Sequence, residues 1–509
     1  MKVSKFYFPL LAAGVLASCS SESEPVVDNG ANNGEARYLA VNICNPLETR
    51  ANTVDGYEYE DGTSEERGVR SALFVIADAS GKIVSVTEEE ELNSVGKDDN
   101  KTVEFISNTV LVVRDAETRA DYVNLVAILN PNQTITSAAK IEGATLASLI
   151  DKMDDFGNDE NQNFIMSNSV YYDKSNGTVR ATKVDQSKFA HSAAEAEASP
   201  VDVYVERVVA KVKTSEIAKN SGADKPMGWD ANDTHFTIDV KGIGLSFTAE
   251  TSNLVKKLDN HDYSWTWNNP NLNRSYWADN TAEYKDLYKK NWDDLAACPT
   301  TAQDALYIQE NTNQDAPTYV MVAGTIQRDG KDINLVALDG IYYELNDGLT
   351  AIANKAFRAT EDAHAETSEG AQIPSSSLEL VTDRTADLHA YQTYARLKKD
   401  AESTVADVAK VNAALRKIVV KYWNGGRCYY FMAIDHNADA KLTGIVRNHV
   451  YDLNLENIGG LGTPVVDPND PIIPEIPDDD PDTWFLKARV NVLQWRIVPT
   501  QNIDFSKYY

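Results

Sequence analysis

The most constraining feature of this 509-residue chain is its C-terminal stretch, residues 482–505. Apolar and polar side chains alternate from Leu486 to Val492, which predicts a half-buried β-strand. The alternation changes phase before Trp495, so we expect a bulge or two short strands joined. The apolar positions of the predicted strand are Leu486, Ala488, Val490, Val492, Leu493, Trp495 and Ile497.

A spacer rich in proline and aspartate, residues 460–482, comes immediately before this strand. Proline holds the backbone extended and cannot donate to a sheet, and neighbouring carboxylates repel one another. We therefore interpret residues 464–483 as a stiff linker and residues 484–509 as a strand carried at its end. Such a strand can fold back onto its own sheet or add to an exposed edge of another molecule.

The N-terminus has the build of an export signal that ends in a lipidation site. Lys2 and Lys5 precede an apolar run over residues 6–17, which is too short to span a bilayer as a helix. Residues 16–19, Leu-Ala-Ser-Cys, resemble the lipobox of bacterial lipoproteins. We expect residues 1–18 to be removed and Cys19 to carry the lipid, which would be the only attachment to a membrane. The alternative is a plain signal peptide with a chance cysteine.

The net charge excludes some classes of partner. The chain has 48 Lys and Arg against 77 Asp and Glu, a formal net charge of −29, which argues against nucleic acid or anionic lipid as the main partner. The other cysteines, Cys44, Cys298 and Cys428, form no CxxC pair, so free thiols or one bridge both remain open. Because Cys428 lies inside a predicted strand, we expect it to be a buried free thiol.

No motif predicts an enzyme. The 7 histidines are scattered without an HExxH motif, and GxSxG is absent. Residues 435–439 begin like a calcium loop, but Ala440 and Val446 occupy the positions that need a glycine and a bidentate carboxylate. We therefore predict no catalytic residue, no metal site and no cofactor.

Short alternating segments dominate the rest of the chain and predict a mainly β protein with a few helices. Residues 201–212 are expected to form one strand, and residues 417–434 a hairpin about Asn424-Gly425-Gly426. Residues 146–156 are expected to form a helix capped by Thr145. Many short strands and few helices favour two β-sandwich domains.

We place these two domains at residues 51–214 and 215–463. Before them, residues 38–44 predict a short strand, followed by a polar loop that carries Arg50. The apolar side chains of the short strand are Leu39, Val41 and Ile43.

Several motifs in shared order resemble the fimbrillins, which build type V pili of anaerobic Gram-negative bacteria, and in particular the major subunit of short fimbriae. Residues 205–211, VERVVAK, resemble the family's VERxxAK strand, and residues 444–451, GIVRNHVY, its GVVRN-x-x-Y segment. Further resemblances are RSYWA at 274–278, YIQENT at 307–312 and VNVLQW at 490–495. The acidic linker and long polar insertions depart from the family.

This resemblance implies transthyretin-like β-sandwich domains and assembly by donor-strand exchange. An arginine-specific surface protease would cut the lipidated outer-membrane precursor after Arg50, which leaves Ala51 as the new N-terminus. The propeptide, residues 19–50, would leave with the short strand, which acts as a plug. The C-terminal donor strand of another subunit would then fill the vacant groove. Rival cut sites are Arg37, Arg67 and Arg70.

We therefore predict a structural shaft subunit of a cell-surface fimbria, serving adhesion and biofilm formation. Its partners would be further copies of itself in a head-to-tail polymer, the protease, and tip and anchor subunits. A tip or anchor subunit is one alternative. The other is a surface glycan-binding lipoprotein, in which the Trp- and Tyr-rich residues 263–276 would be a stacking platform.

Overall fold

The computed structural model shows a mainly β protein with a few short helices, as predicted. The structure describes residues 36–46, 62–90, 92, 94–96, 103–114, 122–156, 164–173, 177–217, 236–258, 275, 277–279, 283–358, 365–384, 391–437, 442–458, 460–474 and 486–494. Outside these residues lie the predictions for Cys19, Arg50, Ala51, Trp495 and Ile497. The aromatic stretch at 263–276 also lies outside them, apart from Ser275.

The N-terminal part of the chain forms one large sheet of nine strands. The elements of this part are β1 (Ala36–Pro46), β2 (Ser71–Ala77), β3 (Ile83–Glu90), β4 (Ser94–Gly96), β5 (Val103–Arg114), β6 (Tyr122–Leu129), α1 (Gln133–Ala139), α2 (Leu146–Ile150), β7 (Met153–Asp154), β8 (Met166–Asn168), β9 (Tyr171–Asp173), β10 (Gly177–Val179), β11 (Thr182–Asp185), α3 (Ala193–Glu197) and β12 (Val201–Arg207). The strand order of the sheet is β3-β2-β6-β8-β12-β1-β5-β4, and β11 pairs with β6.

Apolar clusters cover both faces of this sheet. On β2, Leu73 and Val75 join a cluster with helices α1 and α2, while Phe74 and Ile76 join a second cluster that contains Leu39. Burial on both faces explains why β2 is a continuous apolar run instead of an alternating one. Helix α2 begins at the predicted cap, Thr145, but ends earlier than predicted, because the chain continues into β7.

The C-terminal part begins with a strand that sequence reasoning joined to β12. It contains β13 (Val209–Thr214), β14 (Thr237–Ser246), β15 (Thr248–Ala249), β16 (Ser252–Asn253), β17 (Leu287–Tyr288), α4 (Trp292–Ala296), β18 (Gln303–Gln309), β19 (Tyr319–Arg328), β20 (Lys331–Asp332), β21 (Leu335–Leu338), β22 (Ile341–Glu344), α5 (Leu345–Phe357), β23 (Leu378–Arg384), β24 (Tyr391–Leu397), α6 (Val408–Arg416), β25 (Val419–Trp423), β26 (Arg427–Ala433), β27 (Asp435–Asn437), β28 (Leu442–Thr443), β29 (His449–Ile458), β30 (Thr463–Pro464) and β31 (Leu486–Gln494).

Two sheets of this part pack face to face. A six-stranded sheet, β17-β15-β18-β13-β29-β31, lies against a five-stranded sheet, β14-β19-β26-β30 with β20 beside β19. The core between them includes Val212, Ile243, Val322, Tyr430 and Leu453, which come from both sheets. This shared core is that of a β-sandwich.

The single strand predicted over residues 201–212 is two strands in different sheets. β12 belongs to the nine-stranded sheet and β13 to the six-stranded sheet, with only Val208 between them. Val208 is fully buried, so the chain passes from one sheet to the next through the interior. This passage brings the ends of the two sheets together.

A third sheet, β22-β21-β25-β24-β23, has its own core with helices α5 and α6. The hairpin predicted over residues 417–434 is therefore wrong, because β25 pairs with β21 and β24, whereas β26 pairs with β19. Gly425 and Gly426 have φ of 63° and 72°. A Cβ on Gly426 would lie 2.5 Å from the carbonyl oxygen of Ile326, so a side chain at this position would clash with that oxygen. The turn leads the chain from one sheet to another.

Candidate functional site

The predicted plug strand lies in the interior of the nine-stranded sheet. β1 pairs antiparallel with β5, from Ala36 opposite Arg114 to Pro46 opposite Val103. On its other side it pairs in parallel with β12, over residues 41–44. Leu39 and Val41 are fully buried. Ile43 lies in the same strand, and its side chain is outside the described part.

The position of β1 makes it difficult to remove without replacement. In the described sheet, β5 and β4 join the other strands only through the ladder of β1. If β1 left, the facing edges of β12 and β5 would lose their backbone partners, and an apolar cluster with Leu111 and Val203 would be uncovered. Another strand in the same gap would restore both ladders and cover the cluster.

Glu66 follows the plug strand in the sequence and anchors its own segment to the rest of the molecule. Its carboxylate accepts hydrogen bonds from Lys211 Nζ at 2.7 Å, from the Tyr307 hydroxyl at 2.5 Å and from the Thr63 backbone N–H at 2.8 Å. Burial opposes ionisation, but the hydrogen bonds from Lys211 and Tyr307 prevail and lower the pKa of Glu66. The anion is therefore held in place by partners from the second part of the molecule.

The predicted donor strand folds back onto its own sheet in the single chain. β31 pairs antiparallel with β29, from Gln494 opposite His449 to Leu486 opposite Ile458, and forms the edge of the six-stranded sheet. Of the predicted donor residues, those in β31 are Leu486, Ala488, Val490, Val492 and Leu493.

A bulge is present in this ladder, but not on the strand where the sequence predicted it. Leu455 and Asn457 lie opposite the consecutive residues Ala488 and Lys487, so the extra residue, Glu456, belongs to β29. β31 itself continues without interruption through its described residues. The change of phase from Val492 to Leu493 therefore lies inside β31, where its ladder with β29 shows neither a bulge nor a break.

Three of the motifs that carried the resemblance, VERVVAK, YIQENT and GIVRNHVY, contribute to a largely buried polar cluster between the nine-stranded and six-stranded sheets. We call this the junction cluster, and its members are Glu66, Glu206, Arg207, Lys211, Lys256, Glu310, Arg447 and Asn448.

Arg207, on β12, joins both parts of the molecule. Its Nε donates to the backbone oxygen of Glu66 at 2.9 Å, and its Nη1 donates to Asn448 Oδ1 at 3.4 Å. The neighbouring Glu206 accepts from Lys256 Nζ at 3.0 Å. Lys256 also donates to the backbone oxygen of Ser275, in the RSYWA motif, at 2.9 Å. Burial raises the pKa of Glu206, in spite of the neighbouring cations.

Arg447 is the other buried cation of the junction cluster. It donates to the backbone oxygens of Leu254 at 3.0 Å and Asn253 at 2.5 Å, and to Glu310 Oε1 at 2.5 Å. Both members of the Arg447–Glu310 pair are buried, and Glu310 belongs to the YIQENT motif. The shared motifs thus supply charged groups that join the two β parts, which sequence reasoning did not anticipate.

Two further features bear on the sequence predictions. Cys298 and Cys428 are both free thiols, and Cys428 is buried, as expected. Burial raises the pKa of the Cys428 thiol to about 12. Within the described ranges, no helix is long and apolar enough to cross a membrane, and no group of three His, Cys, Asp or Glu could hold a metal ion.

The chain shows low similarity to several solved structures of bacterial cell adhesion and fimbrial proteins. One is a candidate cell adhesion protein from Parabacteroides distasonis, with 12% identity, a TM-score of 0.38, and 91% of this chain and 100% of that chain covered. Another is the tip fimbrial protein Mfa3 from Porphyromonas gingivalis with C-terminal truncation, with 12% identity, a TM-score of 0.33, and 90% and 100% covered.

A third is a fimbrial assembly protein from Parabacteroides distasonis, with 8% identity, a TM-score of 0.30, and 72% and 97% covered. No curated protein matches the chain by sequence. Residues 421–501 match the family described as "Major fimbrial subunit protein type IV, Fimbrillin, C-terminal". Through this region, which contains β26, β29 and β31, the chain is related to the fimbrillins.

Proposed function

We propose that this chain is a shaft subunit of a cell-surface fimbria, and that its subunits join when the C-terminal strand of one replaces β1 of the next. The observation that carries this proposal is the interior position of β1 between β12 and β5. The family relationship adds that the region containing β31 is shared with fimbrial subunits. Adhesion and biofilm formation would follow from a surface filament.

The lipoprotein route is part of the same proposal. Cys19 would carry the lipid that holds the precursor at the outer membrane, and cleavage after Arg50 would free the subunit from it. The mature subunit would then begin at Ala51 and retain both β parts, the acidic segment after them and the donor strand.

The geometry on either side of Arg50 supports the cut there. β1 ends at Pro46, and the anchored segment begins at Thr63, whose N–H binds Glu66. Arg50 is the only arginine in the sequence between those two points.

The rival arginines are less suitable. Arg37 lies inside β1, so a cut there would leave most of the plug in the sheet. A cut after Arg67 or Arg70 would separate Glu66 from the rest of the mature subunit, and it would leave the ammonium of Lys211 in a buried site without its carboxylate.

The exchange moves a strand from the edge of a sheet to the interior of another. Among the described strands of the single chain, β31 pairs only with β29. In the gap left by β1 it would pair with both β12 and β5, and each additional backbone hydrogen bond contributes about 0.5–1.5 kcal/mol. The donor also offers more apolar side chains than the plug, each worth about 1.5–3 kcal/mol when fully buried. Because donor and groove are different surfaces, the contact is heterologous and need not close, so its repetition makes a filament.

The test is to digest the purified, non-lipidated precursor with an arginine-specific protease, sequence the new N-terminus and image the product by negative-stain microscopy. We expect filaments that begin at Ala51. Arg50→Ala should abolish both the cut and the filaments, whereas the matched control Arg70→Ala should change neither.

Two variants test the donor strand. Truncation after Pro481 and Trp495→Asp should each give a cut but monomeric subunit. The truncation removes the donor strand, and Trp495→Asp places a charge in its apolar run, which would have to be buried in the groove. Filaments formed by both variants would remove the C-terminal strand from the mechanism. Filaments formed by Arg50→Ala would instead remove the proposed cut site.

A further inference from the structure

A cleft of about 430 Å³ is lined, among the described residues, by none from β1 or β31. Its walls are strands β24, β25 and β26, the segment 463–473, and the turn before β17. This volume is within the range of about 300–1,000 Å³ that is usual for small-molecule sites. The aromatic residues in its lining are Tyr284, Tyr391, Tyr422 and Tyr429.

The charged groups of the cleft balance one another. Asp467 and Asp470 contribute carboxylates, while Lys289 and Lys421 contribute ammonium groups. The Tyr391 hydroxyl donates to Asp470, and the ammonium of Lys289 lies 4.1 Å from the centroid of the Tyr284 ring. The carboxylates would therefore repel a strongly anionic ligand, and the ammonium groups would repel a strongly cationic one.

The segment that closes the cleft is held in place by its own hydrogen bonds. The Ile472 N–H donates to the backbone oxygen of Lys290 at 2.9 Å, and the Asp293 N–H donates to that of Pro468 at 3.3 Å. The side-chain amide of Asn424 donates to the Val466 backbone oxygen at 3.3 Å. These bonds do not involve β31, so they would remain after the C-terminal strand has moved to another subunit.

We propose that this cleft binds a neutral oligosaccharide. Tyrosine presents an apolar ring face, which packs against the C–H face of a pyranose, and a hydroxyl that can exchange hydrogen bonds with sugar hydroxyls. Carboxylates accept from sugar hydroxyls and ammonium groups donate to them, so a neutral polyol can use both kinds of charge. Tyr391, 38% exposed, offers its ring at the surface. This site does not depend on strand exchange and would exist in monomer and filament alike.

The test uses the unprocessed full chain and a panel of maltotriose, cellotriose and lacto-N-tetraose, measured by isothermal titration. We expect saturable binding of at least one of them with a Kd of about 1 mM or tighter. Tyr391→Ala should weaken that binding by at least about tenfold. The matched control, Tyr288→Ala, removes a tyrosine that is 44% exposed but does not line the cleft, and binding should be unchanged.

A second variant keeps the test decisive if Tyr391→Ala does not fold. Val466→Trp places a large side chain in the cleft and leaves the backbone oxygen of residue 466 free to accept from Asn424, so binding should be lost while the thermal unfolding transition is retained. Absence of binding across the panel would overturn the proposal, as would binding that neither cleft variant weakens. Tighter binding of the anionic trigalacturonate than of every neutral sugar would also overturn it.

Discussion

Arg447 is a fully buried cation without contact to bulk solvent. Its charge is balanced by Glu310 and by two backbone oxygens, from Asn253 and Leu254. A buried ion pair is not by itself a strong source of stability, because both ions lose their hydration. Removal of one partner is nevertheless costly, because the other remains as a buried charge.

We expect Arg447→Met to lower the free energy of unfolding by about 3–5 kcal/mol, since it leaves the carboxylate of Glu310 buried without its cation. Urea unfolding measures this change. The matched control is Arg416→Met, which breaks the pair of Arg416 with Asp383 at the surface, where the two side chains are 63% and 44% exposed. That change should cost about 1 kcal/mol or less. Equal losses in the two variants would show that the junction cluster does not hold the sheets together.

Asp435, in β27, gives a pH dependence of stability with a definite sign. Burial raises the pKa of its carboxyl from 3.8 to about 6. The folded state therefore holds this proton more tightly than the unfolded state, and the contribution of Asp435 to stability falls as pH rises from about 4 to about 6.

Asp435→Asn removes that titration. The free energy of unfolding of the variant, relative to the unmodified chain, should rise by about 1–3 kcal/mol between pH 4 and pH 7. Groups common to both proteins, Glu66 among them, cancel in this difference. A difference that does not vary with pH would contradict the assignment.

At the scale of the element, alternation in the sequence found the strands but not always their partners. The turn Asn424-Gly425-Gly426 has the composition of a hairpin, and in the structure it connects strands of two different sheets. The connection between two sheets, instead of a hairpin, goes with the packing of Gly426 against the backbone of Ile326, a residue distant in sequence. The strand at 38–44 was found because its alternation is local, whereas its place between β5 and β12 depends on contacts that no local pattern contains.

The plug strand should contribute measurably to the stability of the precursor. Leu39 is fully buried among Leu111, Val203 and Val205, so Leu39→Ala should lower the free energy of unfolding by about 2–5 kcal/mol. Val112→Ala is the matched control on the neighbouring β5, at a position that is 38% exposed, and it should cost about 0.5 kcal/mol or less. Thermal and urea unfolding of the precursor would measure both. A loss as small as that of the control would mean that β1 does not fill the groove.

At the scale of the whole molecule, the junction cluster shows why part of the site could not be predicted. The shared motifs were visible in the sequence, but nothing in their spacing shows that Arg447 meets Glu310 or that Arg207 meets Asn448. These pairs depend on the passage of the chain at Val208 from the nine-stranded sheet to the six-stranded sheet, which brings the ends of the two sheets together. The same limit applies to the donor strand. Its sequence predicted that it pairs with the edge of a sheet, but not whether that sheet belongs to its own chain or to another.

In the single chain, β31 occupies the edge of β29, so strand exchange requires that it leave. A disulfide between β29 and β31 should therefore block assembly. Asn454 lies directly opposite Arg489. Such residues have Cβ atoms about 4.5–5.5 Å apart, so Asn454→Cys with Arg489→Cys, in a Cys298→Ser background, should form the bond with a small adjustment.

After proteolytic processing, the oxidised double variant should remain monomeric and should form filaments when dithiothreitol is added, as judged by negative-stain microscopy. The matched control places the same bond in the third sheet, by Thr382→Cys with Thr393→Cys, where the two hydroxyls lie 2.8 Å apart. That bond should leave assembly unaffected in either redox state. Filaments from the oxidised β29–β31 variant, at the rate of the reduced one, would show that β31 need not leave its own sheet. Because a strand paired with β29 cannot also lie between β12 and β5, that result would rule out β31 as the donor.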